Sequence, residues 1–209
     1  MRPLSLLIVT LLGLVAGPAL AQTPPASNAP APPPVRIRGT VDKLDGNTLT
    51  VKSRDGSTMT ITLADNVGIA YLVPAKMSDI KSGDYLASTG IKGTDGKVHA
   101  VEVRIFPDAL RGAGEGQYPW DLKPDTVMTN ATAGTITKMG DGNVVSVTYK
   151  GTTSNYTIDP TTPIFTYGQG DKSLLVPGAA VFVIATKKDD GSLTAARLTA
   201  EKNGVKPPM

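Results

Sequence analysis

Residues 35–63 read VRIRGTVDKLDGNTLTVKSRDGSTMTITL. Apolar Val, Ile and Leu alternate there with Thr, Lys and Arg, which is typical of half-buried strands. Two Asp-Gly pairs, Asp45-Gly46 and Asp55-Gly56, interrupt the alternation and supply the positive φ angles that tight hairpin turns require. The stretch therefore predicts three antiparallel strands joined by two hairpins.

The same pattern returns about 95 residues later, which indicates an internal duplication of a whole domain. Near Asn47 and Asn143 the step is 96, which predicts one extra residue in the second turn. The pairs that repeat at a step of 95 are Gly39-Thr40-Val41 with Gly134-Thr135-Ile136, Gly83 with Gly178, Asp95-Gly96 with Asp190-Gly191, and Ala100 with Ala195.

Each copy contains five strand-like segments with abundant Val, Ile and Thr, and Asp141-Gly142 predicts a further hairpin turn in the second copy. Longer connections, residues 64–83 and 159–178, follow the third strand and are expected to hold a helical turn. This order predicts an all-β protein of two tandem OB-like five-stranded antiparallel barrels, residues 35–106 and 131–204, followed by a tail, 205–209. A single ten-stranded sandwich is the alternative.

The first residues predict export of the chain. Residues 1–21 combine a basic Arg2, an apolar run and a small-x-small ending at Ala19 and Ala21, the pattern of a cleaved signal peptide. The run is shorter than the ~20 residues of a membrane span, so a membrane anchor is the weaker interpretation. Residues 22–34 read QTPPASNAPAPPP and predict a Pro-rich disordered tether. We expect a periplasmic protein that is not a lipoprotein, with no membrane span in the mature chain.

Composition excludes several classes of function. The chain of 209 residues has 21 Lys and Arg against 18 Asp and Glu, a net charge of +3. So small a charge predicts no nucleic-acid partner, because that binding scales with the phosphates that cations neutralise. The chain has no cysteine and one histidine, which excludes disulfides, thiol nucleophiles, acylation at a lipobox and multi-histidine metal centres. We expect no metal and no cofactor.

Segments RIRGTVDKLDGNTLTVKS and MSDIKSGDYLASTGIKGTDGKVHAVEV resemble a family of bacterial exported domains catalogued as domain of unknown function 5666. The resemblance covers residues 35–106 well and 131–200 less well, and it implies tandem exported domains whose relatives are often labelled metal-transport components. It implies no catalytic residue. The matching positions are Gly39, Thr40, Val41, Asp79, Ile80, Gly83, Asp84, Asp95, Gly96, Ala100 and Val103.

Residues 107–130, between the two copies, are predicted to be a Gly-rich interdomain loop that carries the candidate binding residues. Aromatic and charged side chains stand there among glycines, and loops on rigid barrels commonly hold function. The alternative is a plug that covers an open barrel end. The candidates are Arg111, Glu115, Tyr118, Trp120 and Asp121.

No catalytic residue set is evident, which favours a non-catalytic exported binding or adaptor protein. Its expected partner is an unknown small molecule, an envelope polymer or a periplasmic protein. His99 falls opposite Thr194 at the 95-residue step, which predicts the solvent face of the fifth strand. Two alternatives stay open: a metal-handling accessory protein, and an envelope hydrolase using Glu115 and Asp121 as general acid and base.

Overall fold

The computed structural model describes residues 33–95 and 97–208. They form twelve β-strands and three short 3-10 helices, which confirms the predicted all-β class. The strands are β1 (Val35–Asp45), β2 (Thr48–Ser53), β3 (Thr58–Ala75), β4 (Tyr85–Lys92), β5 (Val98–Ile105), β6 (Gly116–Pro119), β7 (Thr126–Met139), β8 (Gly142–Tyr149), β9 (Thr152–Ile158), β10 (Ile164–Gly170), β11 (Ala180–Lys187) and β12 (Leu193–Ala200).

The 3-10 helices are Met77–Asp79, Asp108–Leu110 and Lys172–Leu174. In the part of the chain that is described, no helix has the length and apolar character needed to cross a bilayer. The predicted signal peptide, residues 1–21, and residues 22–32 of the predicted tether lie outside the described residues.

Five strands form a closed barrel, the first ring, in the order β12-β11-β1-β2-β3. The ring closes because β12 pairs with β3 in parallel, beginning with Leu193 opposite Ile61. Its interior is filled by aliphatic side chains from all five strands, including Ile37, Leu49 and Val183. Alternation along each strand directs these side chains inward, as the sequence predicts.

A second ring follows the order β5-β4-β7-β8-β9. It returns on itself through a short parallel pairing of β5 with β9, in which Val98 lies opposite Tyr156 and His99 opposite Thr157. A separate hydrophobic core fills this ring, with Val103, Val145 and Tyr156 among its buried side chains.

The two tandem barrels predicted for residues 35–106 and 131–204 are not confirmed, because each ring takes strands from both copies. The first three strands of copy one close with β11 and β12, the last two strands of copy two. Residues 107–130 consequently join β5 to β7 within the second ring, and they contain β6 and the start of β7. We call this arrangement the strand exchange.

Strand β3 explains the strand exchange. Asp65, Asn66 and Gly68 favour a turn, and the register with β12 shifts beside them. Beyond them, Ile69, Leu72 and Val73 favour extended backbone. Therefore β3 continues without interruption to Ala75, and its second half pairs with β10 instead of folding back. The chain leaves the first ring at this point and supplies β4 to the second. The expected helical turn is present in both long connections, as the 3-10 helices Met77–Asp79 and Lys172–Leu174, and a strand precedes it in each.

The two halves are related by an approximate two-fold axis through the β3–β10 pairing. Leu72 lies opposite Tyr167, and these residues are 95 positions apart in the chain. The two closing pairs, Leu193 with Ile61 and Val98 with Tyr156, are also equivalent at this step. The register of each closing pair thus follows from the repeat.

The first strands of the two copies correspond at a step of 92, not 95. Val41 donates its N–H to the Ala179 carbonyl over 2.9 Å, and Ala133 donates equivalently to Asp84 over 2.7 Å. Ala131-Thr132-Ala133 therefore occupies the position of Gly39-Thr40-Val41. The predicted equivalence with Gly134-Thr135-Ile136 is wrong, because the β7–β8 hairpin is longer than the β1–β2 hairpin. The similar sequence motif therefore lies three residues further along β7.

Three predicted turn glycines have the expected left-handed backbone, Gly46 (φ 58°), Gly56 (φ 88°) and Gly191 (φ 83°). The turn predicted at Asp141-Gly142 is shifted, because Gly140 takes the positive φ of 58° and Gly142 begins β8. Gly96 lies outside the described residues.

Cutting the chain between the two copies tests the strand exchange. We insert a specific protease site after Gly112, which is exposed in the connection between β5 and β6. The two pieces are expected to co-elute on native size-exclusion chromatography after cleavage, because each ring needs strands from both, and to separate only in urea. Pieces that separate in native buffer while remaining folded would contradict the exchange.

Candidate functional site

A cavity of about 640 Å³ receives side chains from both rings. Strands β3 and β10 contribute Ile69, Ala70 and Gly168, and the segment after β6 contributes Trp120. Five aromatic side chains line it: Phe106, Tyr118, Trp120, Tyr167 and Phe182. A largely apolar cavity of this size with a few polar groups is the usual form of a small-molecule site.

Trp120 is held by the turn that joins β6 to β7. Its backbone N–H donates to the Thr126 carbonyl over 2.8 Å, and the Thr126 hydroxyl donates to the Trp120 carbonyl over 3.1 Å. The Phe182 ring contacts the indole edge-on, with centroids 6.0 Å apart. The buried indole Nε1–H has no hydrogen-bond partner among the described residues. The Trp120 side chain therefore lines the cavity, while its indole donor is unpaired and closed off from solvent.

Asn130 has the complementary property, an unused acceptor. Its residue is 7% exposed, and its amide nitrogen donates to the Ala113 carbonyl over 3.0 Å and to the Tyr118 hydroxyl over 3.3 Å. Its buried Oδ1 has no partner in the described part of the chain. Asn130 thus lines the cavity as a residue, while its Oδ1 is closed off from solvent.

Three arginines surround the carboxylate of Asp121. Arg38 Nη1 donates to Asp121 Oδ2 over 2.6 Å, Arg54 Nη2 donates to the Asp121 carbonyl over 2.7 Å, and Arg36 approaches Oδ1 to 4.0 Å. The Arg38 side chain is only 1% exposed. Burial lowers the pKa of Arg38, and the negative charge of Asp121 opposes this effect. Asp121 therefore compensates a buried cation.

Arg36 lies over the Trp120 ring. Its guanidinium carbon is 4.3 Å from the indole centroid and 5.8 Å from the Tyr118 centroid, within the range of cation–π contacts. Burial raises the pKa of Tyr118, while the charges of Arg36 and Arg197 oppose this rise. The positive charges of both arginines therefore favour the ionised form of Tyr118.

A second charged pair lies in the second ring. Arg104 donates from Nε to Glu102, both residues are buried, and Arg104 Nη1 donates to the Tyr167 hydroxyl over 3.4 Å. Burial raises the pKa of Glu102, and the adjacent Arg104 cation opposes the rise. Arg104 lines the cavity, whereas Glu102 is not one of the lining residues.

The structure brings together three of the five predicted site residues. Tyr118 and Trp120 line the cavity, and Asp121 holds the arginines beside them. Arg111 lies elsewhere, where it donates to the Gly83 carbonyl over 2.7 Å and pairs with Asp108. Glu115 accepts the Lys150 backbone N–H over 2.8 Å, whereas the Asp121 carboxylate faces the arginines.

His99 lies between two carboxylates, with Nε2 3.3 Å from Asp95 Oδ2 and Nδ1 3.7 Å from Asp159 Oδ2. Its side chain is 39% exposed, in line with the predicted solvent face. Within residues 33–95 and 97–208, no group of three His, Asp or Glu side chains is arranged to hold a metal ion.

The sequence did not identify the arginines as site residues. Four arginines lie in strands: Arg36, Arg38, Arg104 and Arg197. An arginine that alternates with apolar residues in a strand is predicted to point into solvent. Comparison with protein-family models, with curated proteins and with solved structures found no match. The resemblance given above stays a prediction.

The Asp121→Asn variant tests the role of the carboxylate. We expect the free energy of unfolding to fall by about 1–3 kcal/mol, because buried Arg38 loses its countercharge, with the partial exposure of Asp121 limiting the loss. Urea unfolding followed by circular dichroism measures the change. Asp108→Asn is the matched control, since Asp108 pairs with Arg111 at an exposed position. Equal stability of the two variants would contradict the assigned role.

Proposed function

We propose that this protein is a non-catalytic binding protein that holds a small, largely apolar organic molecule in the cavity between the two rings. The observation that carries the proposal is the cavity of about 640 Å³, lined by five aromatic side chains and formed by strands of both rings. Aromatic rings offer apolar contact area to such a molecule.

The strand exchange supports this function, because it creates the cavity from parts of both copies. Strands β3 and β10 connect the rings, and their side chains Ile69, Ala70 and Tyr167 line the cavity. We further propose that each ring is an OB-like barrel. In each ring the third strand of one copy pairs in parallel with the fifth strand of the other copy. Export to the periplasm is part of the same proposal and rests on residues 1–21 of the sequence.

The neutral fluorophore N-phenyl-1-naphthylamine tests the cavity as a binding site. We expect it to bind with enhanced emission and to quench Trp120, the sole tryptophan. Ala70→Phe should weaken binding at least about tenfold, because the larger side chain occupies space that the ligand needs.

Val73→Phe is the matched control, because it makes a comparable apolar addition on β3 outside the cavity lining. Both variants are first shown to keep the wild-type circular dichroism spectrum. If the probe does not bind the wild-type protein, or if Ala70→Phe and Val73→Phe bind it equally well, the proposed function is wrong.

A further inference from the structure

The charged side chains that line the cavity are all cationic. Arg104 and Arg197 line it, and among the described residues no Asp or Glu does. A site for a neutral apolar molecule has no need of exposed guanidinium groups, whose desolvation on binding is costly unless an anion replaces the lost water. The lining therefore favours a ligand that carries negative charge.

The two lining arginines differ in their partners. Arg104 is neutralised by buried Glu102. Arg197 forms neither an ion pair nor a side-chain hydrogen bond with any described residue, and it is exposed at the cavity wall. Its positive charge is thus available to a ligand.

Arg36 adds a second cation behind two aromatic rings that line the cavity, with its guanidinium carbon 4.3 Å from the Trp120 centroid and 5.8 Å from the Tyr118 centroid. It shares Asp121 with Arg38 and Arg54, so three guanidinium groups surround one carboxylate and leave an excess of positive charge. Its nearest approach to that carboxylate is 4.0 Å, longer than a hydrogen bond. Arg36 lies over the Tyr118 and Trp120 rings, and Arg197 lines the same cavity as these two rings.

The approximate two-fold axis shows that the fold itself does not require these arginines. Arg36 pairs with Ile184 in the first ring, and its counterpart in the second ring is Met128, which pairs with Thr89. The counterpart of Arg197, at the 95-residue step, is Glu102. In the other half of the protein these strand positions hold an apolar and an acidic side chain. The pair of cations formed by Arg36 and Arg197 therefore belongs to one half only.

We propose that the ligand is an organic anion: an apolar or aromatic body in the cavity, and a carboxylate or sulfonate held at the rim by Arg197 and Arg36 beside Tyr118. Guanidinium groups bind such anions through charge-assisted hydrogen bonds. This inference rests on the proposed function and names the ligand class for the same cavity.

Two matched fluorophores test the inference. The anionic probe 1-anilinonaphthalene-8-sulfonate and the neutral N-phenyl-1-naphthylamine share one aromatic body and differ by the sulfonate. We expect the wild-type protein to bind the anionic probe at least about tenfold more tightly, which corresponds to one charge-assisted hydrogen bond. Arg197→Gln should remove most of this preference and leave the dissociation constant of the neutral probe within about twofold.

Controls separate charge from folding. Arg197→Lys should retain part of the preference, and Arg111→Gln, which changes an arginine bound elsewhere, should retain all of it. Ala70→Phe should lower the affinity for both probes, which shows that the fluorescence signal comes from probe bound in the cavity. The anion proposal is wrong, and the proposed function stands, if the wild-type protein binds the neutral probe as tightly as the anionic one. The same conclusion follows if Arg197→Gln lowers the affinity for both probes equally. If neither probe binds, both are wrong.

Discussion

The antiparallel pairing of β3 with β10 is the constraint on which the rest of the structure depends. Residues 69–75 remain extended because Ile69, Leu72 and Val73 favour strand backbone, and residues 164–170 of the second copy pair with them. Once β3 leaves the first ring, the fourth and fifth strands of that copy start beside the other ring. The two rings then share their strands, and the cavity forms where the shared strands meet. The candidate site is therefore a consequence of the connection between β3 and β4 and not of either ring alone.

Much of the secondary structure could be predicted from local pattern. Alternation located the five strands of each copy, and Asp-Gly pairs located three of the turns. The strand exchange could not be predicted in the same way. Leu193 and Val98 are equivalent residues in the two copies, and each is a suitable partner for Ile61. Pattern alone cannot choose between equivalent strands, because the choice depends on the path of the chain after Leu63.

The candidate site was predictable in part. Trp120 and Tyr118 stood out because they are aromatic residues in a Gly-rich connection, and the structure places both at the cavity. Arg36 and Arg197 did not, because arginine at an alternating strand position is usually solvated. Their role depends on the strand exchange, which brings β1, β12 and the segment after β6 together from distant parts of the sequence. The candidate site thus combines Tyr118 on β6 and Trp120 directly after it with two cations on β1 and β12.

Engineered disulfides measure the central claim directly, because the chain has no native cysteine. Thr62 lies opposite Thr194 in the structure, whereas two tandem barrels would place it opposite His99, the equivalent of Thr194 in its own copy. Neighbouring strands are about 4.8 Å apart, within the Cα separation of a disulfide. Under mild oxidation, Thr62→Cys with Thr194→Cys is expected to form an intramolecular disulfide, and Thr62→Cys with His99→Cys is expected to remain reduced. The reverse result would contradict the strand exchange.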